Sequence, residues 1–245
     1  MDSSKTEKRE IAGESKVPKK RSRLKRLVIW LFIDLTVAAA VIILLLYRPE
    51  RYEPLSDAGF KPGQVSPHLT LFTASVYNGA QLKEPFDVNV SEEEINDIIA
   101  HGGLDWDWPL ENDGVMLYAP AAVLEPGMAV LMGTANIRGM EFVVTIKLEP
   151  TIDENGLLNL TVGKLKIGAM NITPIAKMIA KKMYAEQVAD VPMVEDSWQT
   201  KIVASLLNDE PFEPVFPTGD EKVRVRVEKV DIKKGEIRIR LIPMR

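Results

Sequence analysis

The chain has no cysteine, which excludes disulfides, thiolate metal sites and a cysteine nucleophile together. Histidine is almost missing as well. His68 and His101 lack partners at zinc-ligand spacing, and a histidine-based triad would have to use one of them. No G-x-S-x-G, phosphate-binding loop or H-E-x-x-H pattern occurs. Carboxylate pairs are plentiful, and spacing singles out none of them. The sequence therefore predicts no catalytic residue, no metal and no cofactor, and a chain that binds rather than catalyses. An envelope hydrolase using an unmarked carboxylate pair is the enzymatic alternative.

What is present is one long apolar run, Leu27–Tyr47, interrupted by a single charge, Asp34. About 20 apolar residues suffice for a helix to cross about 30 Å of hydrocarbon. Residues 16–26 before it carry seven Lys/Arg and no acid, whereas residues 48–53 beyond it mix Arg48 and Arg51 with Glu50 and Glu53. The excess of Lys/Arg marks the cytoplasmic side. The expectation is a single-pass inner-membrane protein with a cytoplasmic N-terminus and an extracytoplasmic C-terminal domain. Trp30 and Tyr47 lie near the ends of the run, where amphipathic rings favour the bilayer interface. A cleaved signal peptide has a shorter core followed by small residues, and LLLYRPERYEP offers no such site. Asp34 either snorkels toward the basic flank or meets a polar group of another membrane helix.

Charge is unevenly spread. Residues 1–26 and residues 222–245 each carry a net +6, so the whole-chain value of −4 leaves −16 in the middle. A basic head beside a span suits anionic lipids and gives no ground for expecting nucleic acid as a partner. The head, residues 1–26, is polar, lacks apolar periodicity and is expected to be disordered. Residues 48–67 hold Pro49, Pro54, Pro62 and Pro67 and read as an extended stalk. Residues 68–245 then form one exported domain, and an exported domain without disulfides fits a bacterial envelope.

Within that domain, Leu69–Tyr77 and Phe86–Val90 read as short strands. Ser91 and Glu94 form a capping box for a helix that stops at His101-Gly102-Gly103. Strands follow at Val115–Ala119, Ala129–Ile137, Gly139–Leu148 and Gly156–Met170, with Asp153-Glu154-Asn155-Gly156 as a turn. Leu158, Leu160 and Val162 have one parity, Leu165 and Ile167 the other, so a bulge at Gly163-Lys164 is predicted. Helices over 174–184 and 197–207 and a hairpin, 222–231 with 235–243, complete an α+β domain. Its curved antiparallel sheet is packed with two or three helices.

Two groups of residues are candidates for binding. Arg224, Arg226, Arg238 and Arg240 share one face of the closing hairpin and suit an anion, or else form a solvated face paired with acids of the same chain. Met140, Phe142, Val144 and Ile146 share one strand face and Val143 the other, and strands apolar on both faces need cover from helices or a ligand. With Ile175 and Ile179 they are the candidate lining of a lipid groove. Trp106 and Trp108 are a stacking platform or a lid over the local core. Asp105, Asp107, Glu111 and Asp113 lack the glycine and bidentate glutamate of a calcium loop.

The stretches VNVSEEEINDII, EPTIDENGLLNLTVGKLKIG and ITPIAKMIAKKM, with the step from Ile167-Gly168 to Thr173-Pro174, give Val88–Gln187 its family character. This region resembles the YpmS-like bacterial proteins, single-span envelope proteins without a settled activity. The resemblance implies a short helix at the start of the domain, a curved sheet and a helix after the glycine step. The order of elements also looks like tubular lipid-binding domains, in which a curved sheet wraps a helix and leaves an apolar groove. The expected function is a membrane-anchored binding protein holding a lipid or other apolar ligand. The alternative is an interaction or scaffold subunit using Asp34 and the span for contacts with a membrane protein.

Overall fold

The apolar run folds as one helix, α1 (Arg21–Leu45), within the computed structural model, which describes residues 21–55, 65–101, 108–112, 114–178, 198–218 and 220–244. Its stretch Leu24–Leu45 has a mean hydropathy of 2.7 and contains no buried residue. At 1.5 Å per residue, those 22 residues measure roughly 33 Å. This single N-terminal helix is long and apolar enough for a membrane anchor or a signal sequence. It ends at Leu45, so Tyr47 lies just outside it. By contact density the chain divides between Ile42 and Ile43.

The second unit is α+β. Its described elements are α2 (Pro67–Gln81), β1 (Phe86–Ser91), α3 (Glu92–His101), β2 (Leu110–Asn112), β3 (Val115–Glu125), β4 (Met128–Ile137), β5 (Met140–Ile152), β6 (Leu158–Ile167), β7 (Met170–Asn171), α4 (Trp198–Asn208), β8 (Val215–Thr218), β9 (Asp220–Lys233) and β10 (Glu236–Met244). Residues 173–178 are also helical, starting at the predicted Thr173-Pro174. The rest of the predicted 174–184 helix lies outside the described residues.

The strands form two open antiparallel sheets, β1-β10-β9-β8 and β2-β3-β4-β5-β6-β7, rather than the one curved sheet expected. The closing hairpin turns at Lys234-Gly235 and pairs with β1, nearly the whole domain away in sequence. Local patterning carries no signal for such a pairing. The predicted bulge is present: Lys147 pairs with Lys164 and Leu148 with Val162, leaving Gly163 extra. The Asp153 turn is also present, its carboxylate accepting from Asn155 N and Leu157 N at 2.9 and 2.8 Å.

The segment expected to be the strand Leu69–Tyr77 is helical, because Ser66 caps it and Pro67 opens it. The Ser66 hydroxyl accepts from His68 N and Leu69 N. Phe72, Val76 and Ala80, spaced by four, place an apolar stripe against β1 and the hairpin. A Cβ at Gly79 would overlap the Phe86 ring, so α2 approaches β1 closely only because that residue is glycine.

The expected stalk does not stand clear of the domain at its beginning. Tyr52 is 3% exposed and packs with Ala121, Val123, Val130, Met132 and Val143 on one face of the larger sheet. Its hydroxyl donates to Ala119 O and shares a bond with Thr134 Oγ1, both at 2.7 Å. Arg48 lies over its ring at 5.0 Å. Arg51 reaches Glu92 and Glu125 at 3.6 and 3.4 Å. Nearby, Ala169 N donates to Leu44 O at 2.8 Å. Gly168, at φ +57, touches the same turn, and a Cβ there would overlap the carbonyl oxygens of Leu44 and Leu45. Residues 56–64 of the expected stalk lie outside the described residues.

Helix α3 borders the larger sheet where β2 has stopped. Asn96 donates to Ala122 O and accepts from Ala122 N at 2.8 and 2.7 Å, and Glu92 accepts from Leu124 N at 2.6 Å. Side chains here take the place of a neighbouring strand. The capping box forms as predicted: Ser91 N donates to Glu94 Oε2 at 2.7 Å and Glu94 N to Ser91 Oγ at 3.2 Å. The bond from Ser91 N holds the Glu94 carboxyl below its usual value of 4.5. A depressed carboxyl stabilises above the unfolded value, and its contribution is lost as pH falls through the folded one. Ser91→Ala keeps that N–H but loses the hydroxyl's bonds to Glu94 Oε2 and Glu94 N, and should cost about 1 kcal/mol near neutral pH. Denaturant midpoints should show that cost shrinking once pH drops below 4.5.

Candidate functional site

An apolar groove of about 570 Å³ runs between α2 and the smaller sheet. Phe72, Val76 and Tyr77 of α2 form one wall, and Val225, Val227 and Ile239 of the hairpin lie opposite. The alternation of valine and arginine along β9 supplies that floor, since only one parity can face α2. Phe216 closes one end, where Trp198 of α4 meets it edge-on with centroids 6.1 Å apart. The hydroxyl of Thr218 in the lining is already spent, donating to Val223 O at 3.0 Å. The groove thus offers shape and apolar surface with few unsatisfied polar groups. Such a site suits a hydrocarbon chain.

The predicted groove residues lie elsewhere. Phe142, Val144 and Ile146 are half-buried on one face of β5, while Val143 and Thr145 on the other face are the buried ones, covered from the Tyr52 side. Met140 and Ile175 are both 58% exposed. Ile179 is outside the described residues. The residues that line the observed groove had a legible sign, the four-residue spacing of Phe72, Val76 and Ala80 behind Ser66-Pro67. The strand-like alternation of Leu69–Phe72 hid it.

The four arginines do share the outer face of the hairpin, and part of that face is already satisfied within the chain. Arg240 reaches Glu228 at 2.8 Å and Asp87 at 3.4 Å, and Arg238 donates to Asn89 at 2.9 Å. Trp108 donates its indole N–H to Ile99 O of α3 at 2.6 Å. Trp106, Asp105, Asp107 and Asp113 lie outside the described residues, and Glu111 stands on β2. His101 ends α3, with Nδ1 2.8 Å from Asp97 O, and His68 Nδ1 lies 3.7 Å from Glu94 Oε1. Among the described residues, no cluster of three or more metal-ligating side chains occurs. In α1, Trp30 is exposed, and Asp34 is exposed among apolar neighbours.

No protein-family model matches the chain, and neither a curated protein nor a solved structure matches it.

Proposed function

We propose that this chain is a YpmS-like, membrane-anchored binding protein of the bacterial envelope. Its ligand is a lipid or a similar apolar molecule, held in the groove between α2 and the smaller sheet. The groove carries this reading, being of ligand size with a lining dominated by aliphatic and aromatic side chains. The seven Lys/Arg of residues 16–26 support a cytoplasmic N-terminus. The packing of Tyr52 and the bond from Ala169 to Leu44 support an anchor that is kept rather than cleaved. Cutting between them would break the bond from Ala169 N to Leu44 O.

A second reading rests on Asp34, an exposed acid inside the apolar helix that would be relieved by a polar group of another membrane helix. That reading makes the chain a subunit of an envelope assembly.

The groove reading is tested on the full-length chain purified in mild detergent. Native mass spectrometry should find a co-purified lipid. Ala74→Trp, at an exposed position of the groove lining on α2, should displace it by filling the space. A ligand-free wild type, or equal lipid occupancy in the variant, rejects the groove as the binding site.

A further inference from the structure

We propose that a second pocket, where the chain leaves the apolar helix, binds the phosphate of an anionic lipid headgroup. It rests on the anchored reading above for its depth in the bilayer. The pocket holds about 540 Å³ and is lined on one side by Tyr47, Pro49 and Arg51 and on the other by Thr145, Lys147 and Lys166. Its lining starts two residues past Leu45, where the helix ends. In a spanning chain this is the level of the headgroups.

Two observations point to a polar ligand. Thr145 is only 6% exposed, yet its hydroxyl has no hydrogen-bond partner among the described residues. A buried hydroxyl left unpaired is costly and calls for an acceptor or donor in the space it borders. Lys166 pairs across the ladder with Thr145, so both project from the same sheet face. Three cations, Arg51, Lys147 and Lys166, stand against two carboxylates, Glu50 and Glu125, in the lining. Lys147 is 3.4 Å from Glu125, and Arg51 reaches Glu92 and Glu125. Among the described residues, Lys166 has no carboxylate within ion-pair distance. Its ammonium and the Thr145 hydroxyl form the phosphate-binding pair, the ammonium giving charge and the hydroxyl a directed donor.

The test uses full-length protein in a zwitterionic detergent, titrated calorimetrically with dihexanoyl phosphatidylglycerol, dihexanoyl phosphatidylcholine or inorganic phosphate. Phosphatidylglycerol should bind more tightly than the other two. Lys166→Gln and Thr145→Val should each weaken it by about tenfold, the value of a charge-assisted bond. Unaltered melting temperatures show that the variants fold, and phosphatidylcholine serves as a control for the apolar groove. Equal affinity for inorganic phosphate would reassign the site to a soluble anion. Equal affinity for both lipids, or no loss in either folded variant, overturns the proposal. Carbonate extraction of membranes reads the anchor separately, and the short-chain lipid reports on the pocket whether or not the helix spans.

Discussion

Tyr52→Ala should destabilise the full-length chain by about 3–5 kcal/mol, the usual cost of removing a buried aromatic ring. The ring is packed by five apolar side chains of β3, β4 and β5 and is almost inaccessible to water. Its removal leaves a cavity, and it orphans Thr134 Oγ1 and one acceptor position of Ala119 O. Tyr52→Phe separates these effects: it keeps the ring and loses only the hydroxyl bonds, so about 1–2 kcal/mol is expected. Chemical denaturation of both variants, read by a shift in midpoint at constant slope, measures the difference. If Tyr52→Ala costs no more than an exposed substitution, this segment is not part of the core.

Alkaline titration checks the same contact without mutation. Burial raises the Tyr52 hydroxyl above its ordinary value of 10.0, and Tyr118 is pushed up to about 12, first by its hydrogen bond to Glu141. A group whose folded value is raised contributes stability that is complete below the unfolded value. That stability is lost as pH rises through the folded one. The wild type should therefore weaken above pH 10.0, and Tyr52→Phe should weaken less steeply.

Gly168→Ala carries the next largest effect, about 2–4 kcal/mol, combining left-handed backbone strain with steric overlap. The residue sits at φ +57, and its absent Cβ is what lets β6–β7 touch the carbonyls of Leu44 and Leu45. Gly127 is the control. It also has positive φ, at 78, but a Cβ there would meet nothing within 4 Å. Gly127→Ala therefore reports strain alone, and the excess at Gly168 reports contact with the helix end. Limited trypsin digestion gives a second readout, since cleavage after Arg51 should accelerate in Gly168→Ala only. Equal midpoints and equal cleavage in the two variants would remove Gly168 from any role at that junction.

Features governed by neighbours in sequence were readable from the residues. The Ser91–Glu94 box, the Asp153 turn and the Gly163 bulge each rest on side chains within a few positions, so pattern and structure coincide. Helix α2 was hidden because Leu69–Phe72 alternates like a strand, while its start signal, Ser66-Pro67, looks like one more stalk proline. The split into two sheets depends on β1 meeting β10 across most of the domain, which no local window contains. The groove followed α2 out of sight. The choice between the two apolar faces of β5 turned on Tyr52, and nothing in its proline-rich surroundings marks that tyrosine as core.

The Asn96 carboxamide and the Glu92 carboxylate have a consequence beyond folding. Proteins tethered to a bilayer diffuse in two dimensions, where collisions are frequent and orientations restricted, so effective concentrations are high. An open strand border facing such neighbours is a template for runaway association. By occupying Ala122 N, Ala122 O and Leu124 N, those two side chains blunt part of that border. In an anchored chain, the helix that begins at the capping box would thus also limit association in the plane of the membrane.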